Sequence, residues 1–248
     1  MNRIFFLTII FTSALSGAFA QDSLITRSFN QYIHTDFGFG YRRNDLGALN
    51  TALKDFGYKP LNENFSTFSL SVGVSMKRFV FHSEASIFSA SDASIGNNLK
   101  ATVEGHSFGW AIGYSVVEKP KVRFYPYVGF QSAFSHLKVK DQTQVSGWND
   151  LLDTPQRNFT LDFVSNSLDL GFQLERIIPI VNGRNDCPQN ASFATVGIRA
   201  GYLLGLSKGK GEYNDQQING APRYAVQGPY MTLFIGYGTK LRRMNWKK

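Results

Sequence analysis

From residue 68 to residue 77 the chain alternates without a break. Phe68, Leu70, Val72, Val74 and Met76 share one parity, and Ser69, Ser71, Gly73, Ser75 and Lys77 share the other. A period of two is the signature of a β-strand, whose successive side chains point to opposite faces. The alternation pauses at Lys77-Arg78 and resumes with Phe79 and Phe81, which predicts a hairpin. Phe108, Trp110, Ile112, Tyr114 and Val116 alternate with Ser107, Gly109, Ala111, Gly113 and Ser115 in the same way. So do Met231, Leu233, Ile235 and Tyr237 with Thr232, Gly236 and Gly238, only Phe234 breaking the pattern. Eight strands are predicted, over 31–43, 65–77, 78–89, 101–117, 121–137, 159–176, 191–207 and 228–242.

Periodicity does not say which face meets water, because a soluble barrel of the lipocalin kind alternates identically with its apolar face inward. The weaker face helps to decide. A soluble barrel covers its exterior with Lys, Glu and Asp, whereas here that face is Gly, Ser and Ala with isolated charges. Small side chains suit the narrow lumen of an eight-stranded barrel. Connection lengths agree: with the N-terminus on the periplasmic side, long connections (44–64, 90–100, 138–158, 208–227) alternate with short ones (Lys77-Arg78, 118–120) and one of medium length at 177–190. The expected fold is all-β, an eight-stranded antiparallel up-and-down transmembrane β-barrel. Its lipid-facing set is Leu70, Val72, Val74, Phe79, Phe81, Trp110, Ile112, Leu233 and Ile235.

Two places strain this pattern. The apolar phase shifts between "FTLDF" and "LDLGFQL", which predicts a bulge or a strand start nearer Ser165. Pro126 cannot donate a ladder hydrogen bond, so it marks a bulge or the effective start of its strand.

Composition narrows the class. Residues 1–20, "MNRIFFLTIIFTSALSGAFA", run from Arg3 through an apolar stretch to Ala18-Phe19-Ala20 and read as a signal peptide, leaving 21–248 as the barrel domain. An uncleaved anchor is the alternative, but Thr, Ser and Gly interrupt the stretch below the roughly 20 apolar residues a spanning helix needs. No later run is apolar enough for a helical span. The chain holds 22 Phe, 11 Tyr and 23 Gly, and aromatic residues fall where interfacial girdles belong. Phe79, Phe81, Phe124 and Tyr237 sit near inner strand ends; Tyr41, Phe68, Phe108, Phe134 and Phe163 sit near outer ones. Cys187 is the sole cysteine, so no internal disulfide staples the fold.

The "GAFAQ" cleavage site, "FGFGYRR", "YPYVGFQSAF" and the closing "LFIGYGTKL" together resemble the small outer-membrane β-barrel proteins, the porin-like family of Bacteroidota with OmpA/OmpX-type eight-stranded barrels. The resemblance covers the whole mature chain. It implies the outer membrane of a Gram-negative bacterium after signal-peptide cleavage, with membrane lipids as the surroundings and no cofactor. One departure is the extension past Leu241, "RRMNWKK", where such barrels end in an aromatic residue; Trp246 is the substitute on offer.

With the lipid face fixed, His34, Asp36, His82, Glu84, Gln173, Glu175, Arg199 and Lys240 point inward. A polar network in which opposite charges satisfy one another is the expectation, because buried charges must be paired. "HSE" at 82–84 invites a hydrolase reading, but Ser83 must face opposite to His82 and Glu84, so no contiguous triad forms and no catalytic residue is assigned. His34 and His82 lack metal-ligand spacing, and no metal site is expected. His106 and His136 take the lipid-face parity near the outer end.

The net charge of +8 is unevenly spread. Lys77, Arg78, Lys119, Lys121, Arg242, Arg243, Lys247 and Lys248 form a basic periplasmic rim, joined by Arg123, Arg176 and Arg184, against few acids. Such a rim suits anionic inner-leaflet headgroups or an acidic periplasmic protein partner, simple anchoring being the plainer reading. A cell-surface protein is the partner open to the outer loops, while nucleic acid is a poor fit because no basic-aromatic motif appears. In the first outer loop Leu46, Leu49, Leu53 and Phe56 form a helical stripe with Asn44 or Asp45 placed to cap it, predicting a short helix over the barrel mouth. Outer loops 138–158 and 208–227, rich in Gly, Asn, Asp, Gln and Ser, read as solvated. The functions open at this point are a non-enzymatic barrel with a filled lumen, a narrow porin-like channel for small solutes, a lipid-modifying hydrolase or acyltransferase, and a soluble carrier.

Overall fold

The alternating segments all form strands. The computed structural model describes residues 31–55, 59–90, 93–95, 99–119, 121–141, 158–180, 192–214 and 216–240. The eight staves are β1 (Tyr32–Arg43), β2 (Asn64–Met76), β3 (Phe79–Ala90), β4 (Leu99–Tyr114), β5 (Val122–Asp141), β6 (Phe159–Pro179), β7 (Ser192–Ser207) and β8 (Gly228–Lys240). Each pairs antiparallel with the next, and β8 returns to β1 in a register that sets Phe37 opposite Ile235. The ring is therefore closed, and the unpaired backbone groups of a sheet edge are abolished. No helix among the described residues is long and apolar enough to cross a membrane.

The tight β2–β3 turn marks the inner end of the barrel, with Lys77 in the left-handed region at φ 59°. At that same end a short strand, Val117–Lys119, folds onto the start of β5. The registers leave three residues between Gly113 and Val117 opposite Tyr125 and Pro126, so a bulge sits across from the proline that cannot donate. At the outer end lies α1 (Gly47–Asp55), whose first turn is tied down by Asp45, with its Oδ1 accepting the Gly47 N–H at 2.9 Å. Leu46, Leu49 and Leu53 turn their stripe into the barrel mouth.

The polarity of the wall reverses along the barrel axis. Over the inner and middle part the expected face is outside: Leu70, Val72, Phe79, Phe81, Trp110, Ile112, Leu233 and Ile235 are exposed, Val74 is half-exposed, and Ser69, Ser71, Ser75 and His82 are buried within. Toward the outer end the inward residues become apolar. Phe65, Phe88, Val103, Leu137, Val139, Phe163 and Leu203 join the α1 leucines and Tyr224 and Val226 in one core. Outward residues there include Glu104, His136, Lys138 and Asp162, the first pairing with Lys138 and the last with His136 at 2.6 Å. Each large apolar side chain so buried contributes about 1.5–3 kcal/mol.

This inversion corrects two expectations. Phe163 is not part of the outer girdle but is 2 % exposed inside the barrel. The change of apolar phase on β6 is not a bulge in that strand either: its ladder with β5 runs unbroken from Phe159 to Arg176, and Leu161 and Phe163 keep the inward parity of Gln173 and Glu175. What changes is the lumen, polar below and apolar above. The one irregularity is on the β7 side, where Asn166 opposes Ser207 and Ser167 opposes Gly205, leaving Leu206 as the extra residue. A further correction concerns the last outer loop. It carries the small hairpin Glu212–Tyr213 and Gln216–Gln217, and its Tyr224, Ala225 and Val226 are buried in the mouth instead of solvated. The signal sequence, Phe56, the loop around 142–157, Arg184, Cys187, Arg242, Arg243, Trp246, Lys247 and Lys248 lie outside the described residues.

Candidate functional site

The inward parity of five staves brings most of the expected polar residues together. On β1 that parity carries Tyr32, His34 and Asp36, and the glycines opposite them make the room: a Cβ on Gly73 would overlap the His34 ring, and one on Gly236 would overlap the Asp36 carboxylate. Asp36 accepts from Thr195 at 3.2 Å and from Ser71 at 3.4 Å, with His34 Nε2 at 3.4 Å and the Arg199 guanidinium at 3.9 Å. Arg199 is the hub. Its Nε donates to Gln173 at 2.9 Å, its Nη2 to Ser71 at 3.3 Å, its Nη1 pairs with Glu84, and its guanidinium lies over Phe234 at 5.7 Å. Phe234, the exception to the alternation of β8, is thereby explained as an inward ring beneath a cation.

A second ion pair continues the network. Gln173 Nε2 donates to Glu175 at 2.8 Å, and Glu175 meets Arg123 at 2.5 Å. Arg123 Nη1 donates to Ser75 at 2.7 Å, and its guanidinium is sandwiched between the rings of Tyr32 (4.4 Å) and Tyr125 (5.2 Å). The sequence reading assigned Arg123 to the basic rim; it is 2 % exposed, inside the lumen. Its odd parity on β5, shared with Tyr125 and Tyr127, was the signal that could have found it. Lys240, expected in the network, is exposed at the end of β8. It keeps the inward parity of Phe234 and Gly238 but lies at the last described position of the strand, where its side chain is exposed. His82 is buried edge-on to Tyr127, ring centroids 5.2 Å apart, while Ser83 takes the opposite parity.

Nearer the outer end the polar groups thin out. Tyr127 and Tyr230 share a hydroxyl hydrogen bond, and Tyr230 donates to Asp169 at 2.7 Å. Buried Arg42 lies over Phe88 at 5.3 Å, and Asn44 Nδ2 donates to Tyr224 at 3.2 Å. Above them the apolar core closes the mouth. Its exterior carries an open groove of about 480 Å³ lined by Ala52, Phe159, Leu161, Tyr213, Ile218 and Pro222. At this end burial pushes the Tyr224 hydroxyl well up, while the Gly47 N–H, with help from Gln227, holds the Asp45 carboxyl below its usual range.

Chemically the middle of the lumen is a set of mated charges, Arg199 with Asp36 and Glu84 and Arg123 with Glu175. Among the described residues no group of three or more His, Cys, Asp or Glu side chains is arranged to hold a metal ion. At the inner end Lys77, Lys119, Lys121, Arg176 and Lys240 are exposed and Arg78 is half-buried, its Nη1 donating to Tyr114 at 3.4 Å.

No protein-family model and no curated protein sequence matches the chain. Among solved structures it is similar to the surface protein NspA of Neisseria, at 15 % identity over 85 % of this chain and 97 % of that one, with a TM-score of 0.38. It is also similar to Ail, the attachment invasion locus protein of Yersinia pestis, at 14 % identity over 86 % and 99 %, TM-score 0.38. The N-terminal β-barrel domain of Pseudomonas aeruginosa OprF aligns at 13 % identity over 84 % and 98 %, TM-score 0.29. The barrel itself rests on the closed strand pairing described above: the chain is an eight-stranded antiparallel β-barrel with an apolar outer belt, a lumen of paired charges and a capped outer mouth.

Proposed function

We propose that the chain is an integral outer-membrane barrel with a filled lumen, non-enzymatic, acting in envelope structure or in recognition at the cell surface. The observation that carries this reading is the exposed apolar belt: Phe37, Leu70, Phe81, Trp110, Ile112, Phe172, Leu233 and Ile235 are all 41–65 % exposed on one continuous wall. Monomeric soluble proteins rarely leave so large an apolar surface in water, whereas hydrocarbon accepts it at no cost. Purified outer membranes analysed by electrophoresis with and without boiling test it. A fast-migrating band that shifts on heating is expected; recovery of the protein in the soluble periplasm overturns it.

A surface role is favoured over a conducting one by the capped mouth, since α1 and Tyr224–Val226 fill the path a solute would need. Planar-bilayer recordings of the purified barrel are expected to lack unitary conductance steps. A hydrolase reading finds little support in the geometry, because His82 faces Tyr127 in the lumen and Ser83 lies across the sheet. Membrane lipids, and a protein partner at the crown groove, are the contacts this reading implies.

A further inference from the structure

Arg176 is a cation on the wrong side of the wall. It takes the outward parity of β6, between Leu174 and Ile178, which are 44 % and 46 % exposed. The strand registers align Lys119 with Val122, Val122 with Arg176, and Arg176 with Val196. Residues directly opposed in an antiparallel ladder project to the same side of the sheet, so Lys119 and Arg176 stand in one outward row with Val122 between them. Neighbouring strands are about 4.8 Å apart, which sets the two cations' backbones about 10 Å apart, with the small valine as the floor between two long side chains. Lys121 adjoins this row, its carbonyl accepting the Ile177 N–H at 2.9 Å.

The surroundings specify the ligand. The next row toward the barrel's middle, Val117, Phe124, Leu174 and Ile198, is apolar throughout, with Phe172 packed against Phe124 at 5.9 Å between ring centroids. The acid of the turn, Glu118, is in register with the inward-facing Arg123 and thus belongs to the other side of the sheet. Among the described residues no acid lies within ion-pair reach of Lys119, Lys121 or Arg176. A cation fixed on a hydrocarbon-facing surface needs a counter-charge that can reach it through lipid, and a phosphate attached to acyl chains is one. An acidic protein would have to enter the bilayer to reach the same row.

We propose that Lys119 and Arg176, assisted by Lys121, form a binding site for the headgroup of an anionic phospholipid of the inner leaflet, its acyl chains lying along Phe124, Phe172, Leu174 and Ile198. The proposal rests on the membrane-spanning reading above and refines it. The full chain, reconstituted in nanodiscs of phosphatidylcholine with a minor share of phosphatidylglycerol, is extracted gently and its retained lipids are weighed by native mass spectrometry. The wild type is expected to enrich phosphatidylglycerol, and the double variant Lys119→Gln/Arg176→Leu to lose about tenfold of that enrichment. Arg176→Lys and, off the row, Lys77→Gln are expected to keep it. Should the double variant fail to give a heat-shifted barrel, Lys119→Gln alone is compared with wild type. Equal enrichment in wild type and the charge-removing variant, or none in the wild type, overturns the site while leaving the barrel in its membrane. Failure of the wild type to insert into these nanodiscs overturns the membrane reading, and this site with it.

Discussion

Phe163 and Phe172 lie on the same strand, yet one is sealed inside the barrel at 2 % exposure and the other looks outward at 44 %. The same contrast holds across β4, β5 and β6, while β7 keeps Leu204 and Leu206 exposed near its outer end. At the level of the belt the wall is greasy outside and ionic within; at the crown it is ionic outside and greasy within. Both halves bury what their surroundings reject. In hydrocarbon the backbone must be fully paired and charges must find partners inside, whereas in water an apolar core is the stabilising element and charges belong on the surface. On the proposed membrane reading, one antiparallel ring joins a lipid-facing barrel to a cap built on soluble-protein principles.

The comparison can be broken most severely in the lumen. Glu175→Ala leaves Arg123 buried without its acid and is expected to cost about 3–5 kcal/mol, read as a lowered urea midpoint of the heat-shifted band. Next is a matched pair of leucines. Leu203→Ala opens a cavity in the crown and is expected to cost about 3 kcal/mol, while Leu233→Ala on the belt leaves a space that lipid fills and is expected to cost about 1–2 kcal/mol. Equal costs would refute the division into two regimes.

A charge scan sharpens the boundary. Leu233→Arg is expected to lose about 2–4 kcal/mol, whereas Thr160→Arg on the crown exterior should stay within about 0.5 kcal/mol of wild type. A smaller effect concerns the lid. Asp45→Ala removes the acceptor for the Gly47 N–H and is expected to cost about 1 kcal/mol, seen as faster proteolysis within α1 with the barrel intact. Because those hydrogen bonds hold the Asp45 carboxyl below its unfolded range, their contribution is present above that range and fades as pH falls through the folded value. The protection factors of the α1 amides, which remove the intrinsic pH dependence of exchange, should therefore be unchanged from neutral pH down to about pH 5 and fall below about pH 4.

Legibility followed the physics of each signal. Strand number, parity and the tight turn at Lys77-Arg78 were readable because a half-buried strand must alternate. Arg123 misled because a cation near a strand end looks like rim, and only its parity with Tyr125 and Tyr127 pointed inward. Lys240 misled in the opposite sense: its parity is inward, but it is exposed as the last described residue of β8. The phase change on β6 was visible as a pattern, but its cause was not, since alternation reports that two faces differ and is silent on what each face meets.

The order of residues along the chain determined the strands, their faces and the stripe of α1, because those depend on neighbours two to four positions away. Only closure of the ring decided which faces share a lumen. It set Arg199 from β7 between Asp36 of β1 and Glu84 of β3, brought Arg123 to Glu175, and folded Tyr224–Val226 into the mouth beside Leu49. Those contacts join residues far apart in sequence, and charge pairing and core packing act through space, where no local pattern records them.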